Sequence, residues 1–190
     1  MKNIRTRTIT GIGILLAIEI ILQLIGNIWA LGPVSINLSL IPIALGAIIF
    51  GPGAGAFLGL ANGGIVLLAP ATQAIFWQVT PIGTLLVCLI KCTVAGLVSG
   101  LIYRLISKKN QFAAVIVASL IVPIVNTALF ALGCFTVFRN IVESANDNGS
   151  IYTYVFLVMI GWNFIFEFLV TTILSPTVYK IVSIYERSEE

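Results

Sequence analysis

Residues Pro81–Ser107, PIGTLLVCLIKCTVAGLVSGLIYRLIS, form an apolar run in which Lys91 and Arg104 are the only charged side chains. A helix needs about 20 mostly apolar residues to cross the hydrocarbon core of a bilayer. The run lacks the two-residue alternation of apolar and polar side chains that marks a membrane β-strand. Because backbone groups in lipid must pair within their own segment, the run predicts a transmembrane helix.

Five further apolar runs repeat this pattern along the 190-residue chain, of which 59% is hydrophobic and 9% is charged. A soluble domain carries roughly 25% charged residues. We therefore predict an all-α integral membrane protein, in which residues 1–190 form one domain with a bundle of six transmembrane helices. The predicted spans are Ile9–Leu31, Ser35–Phe50, Gly53–Ala69, Pro81–Ser107, Phe112–Phe138 and Ile151–Ile184.

The tripeptide Gly51-Pro52-Gly53 separates the short second and third spans. Glycine and proline together end a helix and allow a tight reversal, which is the predicted arrangement. One kinked helix over Ser35–Ala69 is the alternative, but it would be far longer than the bilayer is thick.

The basic residues give the predicted orientation, since Lys and Arg collect on cytoplasmic flanks. With six crossings, all three basic clusters fall on one side, so we expect both termini in the cytoplasm. The net charge of +3 is then mostly topological, and nucleic acid is not an expected partner. The clusters are Lys2, Arg5 and Arg7, then Arg104, Lys108 and Lys109, and finally Lys180 and Arg187.

Small residues recur every four positions on two helices. Gly13 and Ala17 share a face of the first span, where they would let another helix approach closely. These two residues either dock a partner or merely pack inside this chain. The third span carries Gly51, Gly55, Gly59 and Gly63, which predicts a close helix crossing, and Gly96 and Gly100 repeat the pattern in the fourth span.

Three ionisable side chains lie inside predicted spans, namely Glu19, Lys91 and Glu167. Such residues are costly in lipid and mark either a functional site or an internal pair. In the functional interpretation, Lys91, Glu167, Asn126 and Asn163 converge on a polar pocket among the last three spans. In the alternative, Lys91 pairs with Glu19 or Glu167 only to neutralise charge.

The outer loop Pro70–Thr80 is the predicted lid of this pocket, with Trp77 and Gln78 as candidate ligand contacts. Lys91 or Arg139 would suit a ligand carboxylate, because a desolvated charge pair is favoured over a lone buried cation.

Several chemistries are excluded or disfavoured by missing residues. The chain has no histidine, which rules out a Ser-His or Cys-His nucleophile and a histidine-bound metal or haem. It also has no phosphate-binding loop for ATP. We expect no enzyme activity, no cofactor and no metal.

Three segments resemble the substrate-binding S component of energy-coupling-factor (ECF) vitamin transporters. They are INLSLIPIALGA at Ile36–Ala47 followed by FGPGAGA at Phe50–Ala56, then Lys91 followed by AGLVSG at Ala95–Gly100, and PIVNT at Pro123–Thr127. Asn37, in the first of them, joins the candidate substrate-binding residues.

The resemblance implies a vitamin binder in a prokaryotic plasma membrane, open to the outside. Its expected partners are a membrane-embedded coupling (T) subunit and two cytoplasmic ATPases. In the family an A-x-x-x-A motif on the first helix docks on the coupling subunit, and Gly13 and Ala17 stand at the matching positions here. Pantothenate is the ligand that the resemblance and a cationic pocket suggest.

Two other functions compete with this interpretation. The chain could be a self-sufficient transporter or channel that uses Glu19, Lys91 and Glu167 as a relay. It could also be a membrane scaffold in which the glycine stripes serve assembly alone.

Overall fold

The computed structural model describes residues 2–28, 37–144 and 150–187, and the regular structure in these ranges is helical throughout. The all-α prediction is therefore confirmed for this part of the chain. The helices are α1 (Lys2–Ile28), α2 (Leu40–Ile49), α3 (Pro52–Leu67), α4 (Pro70–Thr72), α5 (Pro81–Ile106), α6 (Gln111–Thr136), α7 (Arg139–Ser144), α8 (Ile151–Thr153) and α9 (Trp162–Arg187). Two π-helical segments, Gln73–Trp77 and Tyr154–Gly161, continue α4 and lead into α9.

Four helical stretches in the described residues are long and apolar enough to cross a membrane. They are Thr6–Asn27, Pro81–Ile106, Gln111–Thr136 and Tyr154–Tyr185. Pro52–Leu67 and Pro70–Trp77 pass the same test as a pair, with a bend of 63° between them. Helix α2 has 10 residues, about 15 Å at the helical rise, so the count of six crossings stays a prediction.

The predicted second span, Ser35–Phe50, begins too early. Asn37, Leu38 and Ser39 are not helical, and residues 29–36 lie outside the described part of the chain. A start at Leu40 places Pro42 in the first turn of the helix, where its missing N–H costs no hydrogen bond. Asn37 and Ser39 are thereby left free to use their polar groups elsewhere.

The reversal at Gly51 is confirmed. Gly51 has a φ of 94°, a conformation that favours glycine. Across the turn, Ala47 on α2 packs on Gly55 on α3. Farther from the turn, Ser39, just before α2, hydrogen-bonds to Asn62 on α3. Helices α2 and α3 are thus antiparallel, and the single kinked helix is wrong.

Each long helix runs antiparallel to the next one in the bundle. Ser99 on α5 bonds the Ala118 carbonyl on α6, while Phe112 at the start of α6 packs on Tyr179 near the end of α9. Arg7 lies 5.9 Å from the centroid of the Tyr185 ring. The two ends of the described chain therefore meet at one end of the bundle.

Helix α2 lies at the centre of this bundle. Its middle residues Ile43, Ala44 and Ala47 are buried, and the helix contacts α1, α3, α5, α6 and α9. A short helix that is apolar on every side belongs in an interior position.

Helices α3 and α5 touch backbone to backbone. Gly55, Gly59 and Gly63 face the carbonyl groups of Gly96, Cys92 and Cys88, and Gly100 faces Pro52 in the same register. Contact at this range requires residues without a side chain. The close crossing predicted from the glycine stripe is confirmed.

We predict that Gly59→Ala destabilises the protein by about 1–3 kcal/mol, because overpacking forces neighbours apart. A Cβ atom at Gly59 would lie 2.6 Å from the carbonyl carbon of Cys92. Gly64→Ala is the matched control, since its Cβ atom would meet nothing within 4 Å and alanine favours the helix. Apparent melting temperatures in detergent provide the comparison. Equal melting temperatures for the two variants would show that the contact is not tight.

Candidate binding site

A cavity of about 700 Å³, measured with its open mouth, lies between α1, α3, α5, α6 and α9. Its lining combines polar side chains with a group of phenylalanine rings.

The structure brings five of the eight candidate substrate-binding residues together in this cavity. Asn37, Lys91, Asn126, Asn163 and Glu167 all contribute to its lining, and all five are buried. They come from the segment before α2 and from α5, α6 and α9.

Three candidates lie outside the cavity lining. Trp77 is half-buried beside it, and Gln78 is exposed. Arg139 is exposed on α7, where its Nε atom donates to Glu143 at 2.8 Å. That hydrogen bond raises the pKa of the Arg139 guanidinium. The ring that the Pro70–Thr80 segment does place in the cavity is Phe76.

Lys91 projects into the cavity from α5. Its Nζ atom lies 5.3 Å from the centroid of the Phe130 ring, close enough for a cation–π interaction. Among the described residues, the salt bridge with an N···O distance within 4.0 Å is Arg139–Glu143. Lys91 forms no salt bridge of this kind with them. A direct salt bridge from Lys91 to Glu19 or Glu167 is therefore not formed, and charge neutralisation at longer range stays an alternative.

Glu167 is held by the backbone instead. Its Oε1 atom accepts a hydrogen bond of 2.8 Å from the Asn37 N–H, 130 residues away in sequence. Asn37 can make this bond because it lies before the start of α2, where its N–H is not used by the helix. The bond fixes one carboxylate oxygen while the side chain still lines the cavity.

A cluster of polar side chains around Ser39 adjoins the cavity, and its members Gln23 and Asn37 belong to the cavity lining. The Ser39 Oγ atom lies 3.0 Å from Gln23 Oε1 and 2.5 Å from Asn62 Oδ1, and it also contacts Asn37 Oδ1. One hydroxyl donates a single proton, so these acceptors share the Ser39 proton. The cluster ties α1 and α3 to the segment before α2.

The cluster extends towards α6 through a buried thiol. Asn62 Nδ2 lies 3.6 Å from Cys92 Sγ, and Cys92 Sγ lies 3.5 Å from Asn126 Oδ1. Buried polar groups gain stability when such partners satisfy them. Asn126 is therefore held at the cavity surface by a chain of contacts that begins on α3.

An aromatic wall faces these polar groups. The Phe76 ring centroid lies 4.7 Å from that of Phe138 and 5.9 Å from that of Phe130, and Phe164 also lines the cavity. The sequence did not predict these four rings as cavity residues, because phenylalanine is common throughout an apolar chain and carries no periodic signal here.

The predicted lid is helical rather than a loop. The segment Pro70–Trp77 consists of α4 and a π-helical turn, and the second π-helical segment, Tyr154–Gly161, contributes Ile160 to the same cavity. Single π-helical turns are frequent at functional sites. Their sequence has no distinctive marker, so the sequence could not reveal them.

The side chains of Glu19 and Gln23 on α1 face the bundle interior. Glu19 is fully buried, and its carboxylate oxygens have no hydrogen-bond partner within the described part of the chain. Gln23, one turn later, lines the cavity and donates from Nε2 to Asn27 at 3.0 Å.

A second face of α1 is open. Gly13 and Ala17 are exposed, and a Cβ atom at Gly13 would meet nothing within 4 Å. The alternative in which these small residues pack inside the chain is therefore wrong.

Metal ligands do not gather in the described ranges. No group of three or more His, Cys, Asp or Glu side chains suitable for a metal ion occurs there. Cys88, Cys92 and Cys134 are buried, free thiols.

The comparison with protein families matches residues 7–183 to the family described as ECF transporter, substrate-specific component. A comparison with curated proteins finds no match. The matched residues include most of α1, all of α2 to α8 and nearly all of α9, and with them the cavity. This chain is a membrane protein that belongs to the family of substrate-specific components of ECF transporters.

Proposed function

We propose that this protein is the substrate-specificity subunit of an ECF-type importer, which binds a water-soluble vitamin or related micronutrient outside the cell. The observation that carries the proposal is the cavity, in which Lys91 presents a buried cation without an ion-pair partner among the described residues. A lone buried cation is unfavourable, and a solute that supplies the missing anion would offset that cost.

The solute is therefore expected to carry a carboxylate. Asn126 and Asn163 line the same cavity as Lys91, and we propose that they contact the rest of the molecule. Pantothenate is a carboxylate-bearing vitamin and stays a candidate.

We place both termini in the cytoplasm of a prokaryotic cell, with one six-helix domain in the plasma membrane. The contact of Arg7 with Tyr185 supports an even number of crossings. Arg104 lies at the same end, beside Gly51. Basic residues at one end of the bundle favour that end as the cytoplasmic one.

The proposed partners are a membrane-embedded coupling subunit and two cytoplasmic ATPases. The chain carries no phosphate-binding loop, so ATP hydrolysis would come from other subunits. The exposed Gly13–Ala17 face of α1 offers a smooth surface where another helix can dock.

Lys91→Met tests the binding site. We expect the affinity for the bound vitamin to fall by about 1.5–3 kcal/mol, the usual worth of a hydrogen bond to a charged group, with the melting temperature retained. A panel of water-soluble vitamins, titrated by calorimetry against the detergent-purified protein, provides the measurement. Lys180→Met is the control, because Lys180 is exposed on α9. Unchanged affinity in Lys91→Met would remove Lys91 from the site.

Gly13→Leu tests the docking face. A bulky side chain should block close approach of the coupling subunit, so we expect loss of co-purification and of ATP-driven uptake while vitamin binding persists. Gly64→Leu places the same side chain on α3, where the position is also open, and should leave assembly intact. Normal assembly of Gly13→Leu would refute the docking assignment, and uptake into vesicles without ATPases would favour a self-sufficient transporter.

A further inference from the structure

The cavity presents two opposite charges that do not pair with each other. Lys91 and Glu167 both line it, yet no salt bridge within 4.0 Å joins them. We propose that the transported solute is a zwitterion, with a carboxylate that binds Lys91, an ammonium group that binds Glu167, and an apolar or aromatic body. This inference rests on the import function proposed above and specifies its substrate class.

The cationic side of the site is preset for an anion. The Phe130 ring is a weak partner compared with a carboxylate, so the Lys91 ammonium keeps hydrogen-bond donors for a ligand. A solute carboxylate at this position would form a charge-assisted hydrogen bond, which is about twice as strong as a neutral one.

The anionic side of the site is equally fixed. The Asn37 N–H anchors Glu167 Oε1, and the Asn37 side chain is held in turn by Ser39. This backbone anchor keeps the carboxylate at its own position, so that it does not swing across the cavity towards Lys91. A carboxylate held in this way offers acceptor positions to an ammonium group.

Charge balance distinguishes a zwitterion from a simple anion. Among the described residues that line the cavity, the charged types are Lys91 and Glu167. When both side chains are ionised, their charges sum to zero. A plain anion would leave the occupied site with a net negative charge, and a plain cation would leave a net positive one. A zwitterion leaves the balance unchanged in a low-dielectric interior, where unpaired charge is most costly.

The aromatic wall specifies the rest of the solute. Phe76, Phe130, Phe138 and Phe164 line the cavity together with the two charged residues. Aromatic side chains provide a large apolar contact surface, and their rings pack favourably against another ring. An apolar or aryl group attached to the zwitterion would contact this wall.

A matched set of three probes tests the proposal on the purified full chain. Phenylalanine carries both charges, 3-phenylpropionate lacks the ammonium group, and phenethylamine lacks the carboxylate. We expect calorimetry to show that phenylalanine binds tighter than either analogue by about tenfold or more. Equal or tighter binding of 3-phenylpropionate or pantothenate, or no binding of phenylalanine, would overturn the proposal.

Charge-removing variants identify which residue binds the ammonium group of the solute and which binds its carboxylate. Glu167→Gln should reduce the preference for phenylalanine over 3-phenylpropionate to near unity, and Lys91→Met should do the same for the preference over phenethylamine. Glu143→Gln, on the exposed helix α7, should leave both ratios unchanged. If one variant does not fold, the other still tests its own ratio, and an unchanged ratio contradicts the assignment.

The vitamin panel separates this proposal from the import function. A vitamin without an ammonium group that binds tightly would overturn the zwitterion and leave the import function standing. If the three probes and every vitamin fail to bind, both proposals fail together.

Discussion

The backbone contact between α3 and α5 is the constraint on which the binding site depends. Gly59 and Gly63 lie against the carbonyl groups of Cys92 and Cys88, and Lys91 stands between those two cysteines on α5. Asn62 stands between the two glycines on α3. The same contact therefore sets the position of the buried cation and of the amide that leads to Asn126, and any residue larger than glycine would separate them.

The late start of α2 is the second condition for this site. If the helix began at Ser35, as its apolar pattern suggests, the Asn37 N–H would lie in the first turn and point along the helix axis. Because the helix begins at Leu40, that N–H binds Glu167, and Ser39 gathers Gln23 and Asn62 around it. The charged groups of the cavity are held apart by this short non-helical segment, and their separation leaves room for a solute.

The sequence predicts features that depend on local patterns. Four-residue spacing predicted the glycine contact and the shared face of Gly13 and Ala17 on α1, and Gly51-Pro52-Gly53 predicted the reversal. Five of the eight candidate binding residues share the cavity, because polar side chains in apolar helices turn inwards. The hydrogen bond from Asn37 to Glu167 joins residues 130 positions apart. The local sequence around either residue does not indicate this contact. Phe76 rather than Trp77 lines the cavity for a related reason, since the π-helical turn sets which ring points into it.

The central claim is that a solute occupies the cavity and that its carboxylate pairs with the Lys91 ammonium. A structure of the purified protein determined with its bound solute tests this most directly. The account predicts solute density within hydrogen-bonding distance of Lys91 Nζ, bounded by Asn126, Asn163 and the aromatic wall. Density at a different place, or a cavity closed by a direct Lys91–Glu167 salt bridge, would contradict it.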